Sequence, residues 1–139
     1  MLVLVVEDEP LCAFNLTSAL EEAGHSVVGP ACSSGEAIVL ARSRRPNVAL
    51  VDIDLESEGA GIRLAQKLRA EFDMQIIFMT EHEAPARENA HYAIGMITKP
   101  FDAAAVTGIL RYADERVRAG STSPVRSCPP SFEPFEPFE

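Results

Sequence analysis

The sequence predicts an α/β fold: a doubly wound sheet of five parallel strands, each followed by a helix. Three observations carry this. Short apolar runs alternate with stretches of helical period along the chain. Most of those runs are apolar on both faces, as suits strands covered on both sides. The links between runs and helices are short, which favours consecutive β–α units in one sheet. With 139 residues, 47% of them hydrophobic, the chain is long enough for one domain with a real core.

Each element can be justified in order. Leu2–Val6 reads as the first strand. A helix starts near Pro10, a good first helical residue, with Asp8 or Glu9 near the cap. Ala13, Leu16, Leu20 and Ala23 share one face of it, and Gly24 ends it. Val27–Gly29 is a weak second strand, followed by a helix from about Ser34 to Arg44 that stops before Pro46. Val48–Ile53 is the third strand, and Gly61 to Phe72 its helix. Gln75–Met79 is the fourth strand, and Pro85–Tyr92 a helix poor in large apolar residues, hence weakly held. Ile94–Ile97 is the fifth strand. The last helix starts near Asp102, with Val106, Ile109, Ala113 and Val117 on its buried face.

Composition narrows the function. Twelve basic residues against 21 acidic ones leave a formal net charge of −9. Such a surface opposes direct binding to nucleic acid or to an anionic membrane, and suits a cation or a basic partner. Cys12, Cys32 and Cys128 form no metal or redox spacing, and an odd number of thiols suits a reducing cytoplasm. The apolar start ends in Glu7-Asp8-Glu9 and lacks a basic flank, so it reads as a strand rather than a signal or membrane segment.

The informative residues stand where strands end. In a doubly wound sheet, ligands bind beyond the carboxyl ends of the strands, where the strand order reverses. Glu7 and Asp8 follow the first strand, Asp52 ends the third, Thr80 the fourth, and Lys99 follows the fifth. Two carboxylates about 5 Å apart repel by roughly 3 kcal/mol at an effective dielectric near 20, and three in one pocket by ~10 kcal/mol. One lysine cannot offset that, so either one acid keeps its proton or a divalent cation enters. An all-oxygen site open to water suits Mg²⁺.

Glu7-Asp8, Asp52, Thr80 and Lys99-Pro100, in this order and spacing, resemble the signature of response-regulator receiver domains of two-component signalling, a flavodoxin-like (βα)5 fold. The resemblance covers residues 1–118. It implies that Asp52 is the phosphoacceptor for a histidine kinase or phosphotransfer protein. Asp8 and Asp52 would hold Mg²⁺, with Glu7 acting through water and the backbone carbonyl of Asp54 as a further ligand. Lys99 would pair with phosphoryl oxygens, Thr80 would donate its hydroxyl and the Glu81 N–H would donate to another oxygen. The Lys99-Pro100 bond is expected to be cis. The stretch "VVGPACSSGEAI" resembles free-standing receivers that serve HWE-type histidine kinases. The chain is therefore read as a cytoplasmic single-domain regulator in a phosphorelay, an acceptor rather than an enzyme. Its output would be contact with a downstream protein, with no direct DNA binding. The face made by the fourth helix, fifth strand and fifth helix would be the switch and homodimer surface.

Two positions depart from the family pattern. Met96 stands where receivers commonly carry an aromatic that turns inward as the threonine moves to the phosphoryl group. Methionine can change rotamer but has neither ring nor hydroxyl. Glu81 puts an acid where a small residue is usual. A receiver fold that is no longer phosphorylated is thus an alternative. So is a haloacid-dehalogenase-like phosphohydrolase, since Asp52-Ile53-Asp54 also resembles that family's DxD, although here it follows the third strand. Structural readings exist too: acids near a first turn cap a helix, and Glu56 and Glu58 suit a solvated loop. His25, His82 and His91 have no ligand spacing, though His82 lies near enough to meet phosphate.

After Arg118 the composition changes to "AGSTSPVRSCPPSFEPFEPFE", and residues 119–139 read as a tail outside the fold, either flexible or a docking segment. Phe132, Phe135 and Phe138 recur every third residue. In a polyproline II chain they would form a stripe on one face, fit for a partner groove or for this domain's own surface.

Overall fold

The structure, a computed structural model, describes residues 1–57, 59–119 and 132–135. Glu58, Cys128, Glu136, Pro137 and Phe138 lie outside the described residues, as does the side chain of Val117. In chain order the elements are β1 (Leu2–Val6), α1 (Pro10–Glu22), β2 (Ser26–Ala31), α2 (Ser34–Arg44), β3 (Val48–Asp52) and α3 (Ala60–Phe72), followed by β4 (Gln75–Thr80), α4 (Glu83–Glu88), a 3₁₀ turn (Ala90–Tyr92), β5 (Gly95–Thr98), α5 (Ala103–Ala119) and β6 (Phe132–Pro134). The strand order is β2-β1-β3-β4-β5-β6. All neighbours are parallel except β5 and β6.

Strand alternation sorts the core into two layers. Val3, Val5, Val48, Leu50, Ile77, Met79 and Ile97 point one way, into a cluster with Leu16 and Leu20 of α1 and Val106 and Ile109 of α5. Leu4, Val6, Ala49, Val51, Ile76, Phe78 and Met96 point the other way, toward Ala37 and Ala41 of α2, Leu64 and Leu68 of α3 and Ala86 of α4. Both faces are covered, so both carry apolar residues, as the runs implied. The order reverses between β1 and β3, which places their carboxyl ends at the crevice.

Three local expectations need correction. β2 continues through Pro30 to Ala31 rather than stopping at Gly29. It lies at the sheet edge, where proline is tolerated, and Gly29 takes a φ of 103°. The predicted helix from Pro85 is two pieces, because α4 starts earlier, at Glu83, and breaks at Asn89, whose side-chain amide donates to the Pro85 carbonyl at 2.9 Å. Proline in the first turn costs no intrahelical bond, so it did not mark the start.

The third correction is larger: the five expected parallel strands are present, and a sixth joins them. Residues 132–134 pair antiparallel with β5, Phe132 opposite Ile97 and Pro134 opposite Gly95, and the Phe135 N–H donates to the Ile94 carbonyl at 2.8 Å. These four residues dock on the domain's own surface, one of the two alternatives for the tail, but a single-faced stripe of phenylalanines does not hold for Phe132 and Phe135. A spacing of three in an extended strand puts side chains on opposite faces. Phe132 joins the α1/α5 layer, Phe135 the α2/α3/α4 layer, and both are buried. Burying the two rings contributes roughly 3–6 kcal/mol. Ordering four residues costs roughly 4–8 kcal/mol. The terms nearly cancel, so β6 is held by a small margin.

Candidate functional site

The acidic run after β1 divides its labour. Glu9 is the cap of α1, its carboxylate accepting from the N–H groups of Leu11 at 3.2 Å and Cys12 at 2.7 Å. That leaves Glu7 and Asp8 for the crevice. Glu7 is buried, 1% exposed, and Asp8 is exposed. Asp52, 6% exposed, closes β3 beside them. One carboxylate oxygen from each of Glu7, Asp8 and Asp52 lies within 4.8 Å of the others.

Backbone groups hold these acids in place. The Asp54 N–H donates to Asp52 Oδ1 at 3.0 Å, and the Glu56 N–H to Asp8 Oδ2 at 3.1 Å. Glu56 has a φ of 62°, and its side chain accepts from the Ser34 N–H at 2.5 Å. Glu56 is exposed, as a solvated loop predicts, and it also ties three loops together. The start of α3 lies against the end of β3 because Gly61 has no side chain: a Cβ there would stand 2.1 Å from the Asp52 carbonyl oxygen. The sequence gives Glu56 only as part of a solvated loop and Gly61 only as the start of a helix, so neither of these ties is expected from it. Gly61, in the first turn of a helix right after the acids, was the signal that could have revealed the close approach.

Lys99 reaches the same pocket from β5, across a cis Lys99-Pro100 bond. Its Nζ is hydrogen-bonded to Glu7 Oε1 and stands 3.5 Å from Asp52 Oδ2. Burial alone would lower the lysine's pKa, but the Glu7 bond and the acid charges outweigh it and raise it. Asp52 is pushed up to about 6, first by burial and then by the hydrogen bond and charge of Glu7, with Lys99 opposing. One lysine does not satisfy the acids, and the aspartate holds its proton more tightly as a result.

The remaining expected residues are placed with mixed fit. Thr80 is buried at the end of β4, and its hydroxyl accepts from the His82 N–H at 2.7 Å and lies 2.7 Å from the His82 carbonyl. It is turned to its own loop rather than to Asp52. Glu81 and the His82 side chain are exposed. The Asp54 side chain is exposed, and its N–H is what ties it to the cluster. Met96, 1% exposed, packs inward beside the core cluster of Phe78 and Ala86. Beside the acids opens a cleft of about 600 Å³, lined by Cys12, Asn15, Glu81, Lys99 and Phe101 among others. The described residues contain no helix long and apolar enough to cross a membrane.

A three-oxygen cluster on a doubly wound sheet, with one lysine across from it, can hold a small divalent cation and offer one carboxylate as a nucleophile. The chain is 35% identical over 116 residues to the phyllosphere-induced regulator PhyR of Methylorubrum extorquens, covering 80% of this chain and 42% of that protein. It is 27% identical to the transcriptional regulatory protein PdtaR of Mycobacterium tuberculosis, covering 84% of this chain and 58% of that one. It thus spans about half the length of these relatives. Among solved structures, the receiver domain of a modulated diguanylate cyclase from Desulfovibrio desulfuricans superimposes with a TM-score of 0.76 at 30% identity, covering 85% of this chain and 96% of that one. The anti-anti-sigma factor PhyR from Bartonella quintana does so with 0.75 at 28%, covering 86% and 49%. The response regulator receiver domain family model matches residues 3–111, and the chain belongs to that family.

Proposed function

We propose that this chain is a phosphoacceptor in two-component signalling, taking a phosphoryl group from a phosphohistidine onto Asp52. One observation supports it above the others. Asp52 has one oxygen held by the Asp54 N–H and the other 3.5 Å from Lys99 Nζ, among oxygens of Glu7 and Asp8.

The donor set fits Mg²⁺: all ligands are oxygens, and the local cation is already hydrogen-bonded to Glu7. Asp8 and Asp52 would hold the ion directly, Glu7 through water, and the Asp54 carbonyl would complete the protein's share. Bound there, the ion supplies charge neutralisation for the acids and the transferring group. Asp52 Oδ attacks phosphorus in line; the P–N bond breaks, and the imidazole nitrogen keeps the electron pair and takes a proton. Lys99 moves its charge from Glu7 to the phosphoryl oxygens. Thr80 releases His82 to donate to one oxygen. Leu11 and Phe14 of α1 are 65% and 67% exposed, Phe14 lining a second hollow with Glu7 and Asp8, and both would be covered by the donor protein. The product is an acyl phosphate, not repeated turnover of a substrate, and output runs through protein contact.

A second reading, a receiver fold that is not phosphorylated, is favoured by the Thr80 hydroxyl's closure on His82 and by the exposed acid at Glu81. Acetyl phosphate with Mg²⁺, followed by intact mass, separates the readings. One adduct of about 80 Da, lost in Asp52→Asn, is expected. Sustained release of phosphate without an adduct would mean a phosphohydrolase, and no change a silent receiver.

A further inference from the structure

We infer that residues 132–135 are a tethered ligand of the domain's own β5 edge: an exchangeable strand that closes this edge to an outside chain of the same chemistry, phenylalanine-acid-x-phenylalanine. Four features make the edge a built site for such a strand.

The first is the notch at Gly95. A Cβ at this position would stand 2.4 Å from the Phe132 ring and 2.7 Å from the Glu133 carbonyl, so the strand seats only on a glycine. The second is a pair of sockets on opposite faces of the sheet. The Phe132 ring meets Tyr112 of α5 with centroids 5.1 Å apart and planes at 60°. Phe135 is buried in the cluster that holds Ala86 and Met96. The third is Arg87 of α4, which reads the acid between the rings. Its Nε lies 2.9 Å and 3.2 Å from the two Glu133 carboxylate oxygens, and its Nη2 lies 2.7 Å from one of them. The fourth is the short ladder, three paired residues plus the Phe135 N–H bond to Ile94. The ladder confers no sequence choice; the notch, the sockets and the arginine do.

The segment thus clasps α4, β5 and α5 at once, and it stands on the face through which output is expected to run. A strand tethered in cis competes at an effective concentration on the order of millimolar. At micromolar protein the chain's own segment holds the edge, and an identical segment from a second copy does not displace it. The sequence also repeats the unit: Phe-Glu-Pro-Phe occurs at 132–135 and again at 135–138. A variant altered only at the first unit would leave a second unit with the same pattern. The closure does not depend on chemistry at Asp52, so its failure and the failure of the acceptor reading are separate results.

The test uses a labelled peptide, Ser-Phe-Glu-Pro-Phe-Glu-Pro-Phe-Glu, added to the full chain. The chain carrying Phe132→Ala, Phe135→Ala and Phe138→Ala together is expected to bind it at least tenfold more tightly than the wild type. A peptide with its phenylalanines replaced by alanine should not bind. Amide exchange in β5 should speed up in this variant and slow again with peptide. Equal binding by variant and wild type, or none at millimolar peptide, overturns the inference. Glu133→Lys, a change at a half-exposed side chain, guards against a misfolded variant: it should raise peptide binding a few-fold, and no change counts against the clasp. A wild-type chain that is a tail-exchanged dimer at micromolar concentration also overturns closure in cis.

Discussion

Two edges of one sheet are built on opposite principles. At the rim, Glu7, Asp8 and Asp52 crowd three oxygens within 4.8 Å around a single lysine, and the repulsion is left standing. At the β5 edge everything is matched: strand to strand, ring to socket, Glu133 to Arg87. On the proposed function, the rim is strained toward gaining something, a cation and then a phosphoryl group. The edge is complete and can only lose something, its own strand. β5 belongs to both, since Gly95 seats β6 and Lys99 follows its other end. One strand thus joins an unsatisfied rim to a covered edge.

The largest expected effect tests whether the rim stands on its own scaffold. Gly61→Val forces atoms into the Asp52 carbonyl, 2.1 Å from where even a Cβ would lie. Overpacking of the new side chain against fixed backbone should cost about 3 kcal/mol or more. Urea unfolding should show the loss, and the acetyl phosphate adduct should form far more slowly. The β5 amides should keep their relative protection. If they open together with the rim, the two edges are one cooperative unit and the contrast fails.

Next comes the strain at Asp52 itself. Its carboxyl is raised from 3.8 to about 6 in the folded chain. A raised acid contributes stability that is full below pH 3.8 and lost as pH rises through about 6. In metal-free protein near pH 7.5, Asp52→Asn should therefore be the more stable chain by about 1–2 kcal/mol, the shift being discounted for solvent at the open side of the pocket. The gain should fall to roughly a few tenths of a kcal/mol at about pH 4, and Mg²⁺ should shrink it by stabilising only the wild type. Thermal melts with and without Mg²⁺ at the two pH values check this. A variant less stable than the wild type at both would mean that Lys99 already satisfies the cluster.

The two edges also differ in how legible they were. The rim could be read because its residue types are specific and because doubly wound topology carries strand ends to one crevice whatever lies between them. Asp52, Glu7, Asp8 and Lys99 converge as that argument requires. What it missed there was contact with loop backbone: the Glu56 N–H on Asp8, the close approach allowed at Gly61, and the Thr80 hydroxyl bonded to His82. These depend on loop conformation, which side-chain pattern does not encode. The β5 edge was harder for a different reason. Phe-Glu-Pro repeats have the composition of a free tail, and only a distant glycine and two sockets make a strand of one of them. Local propensity is silent about a pairing decided so far along the chain.

The smallest effect concerns the clasp between Arg87 and Glu133, and it sharpens the contrast because it is the edge's own charge pair. Both side chains are about half exposed, and Arg87 also pairs with Glu83 at 2.7 Å. Exposed pairs contribute little and are screened by salt. Their geometry here is bidentate, which adds direction more than strength. The hydrogen bond to Arg87 lowers the Glu133 pKa below 4.5, so its contribution is present above that value and is lost as pH falls through the lowered one. Exchange of the Phe135 amide should therefore quicken only a few-fold, after correction for intrinsic rates, in Glu133→Gln, in molar salt or below pH 4. The three changes should not add. Were the amide to open a hundredfold in any of them, charge rather than ring burial would hold the strand, and the edge would be governed by the same electrostatics as the rim.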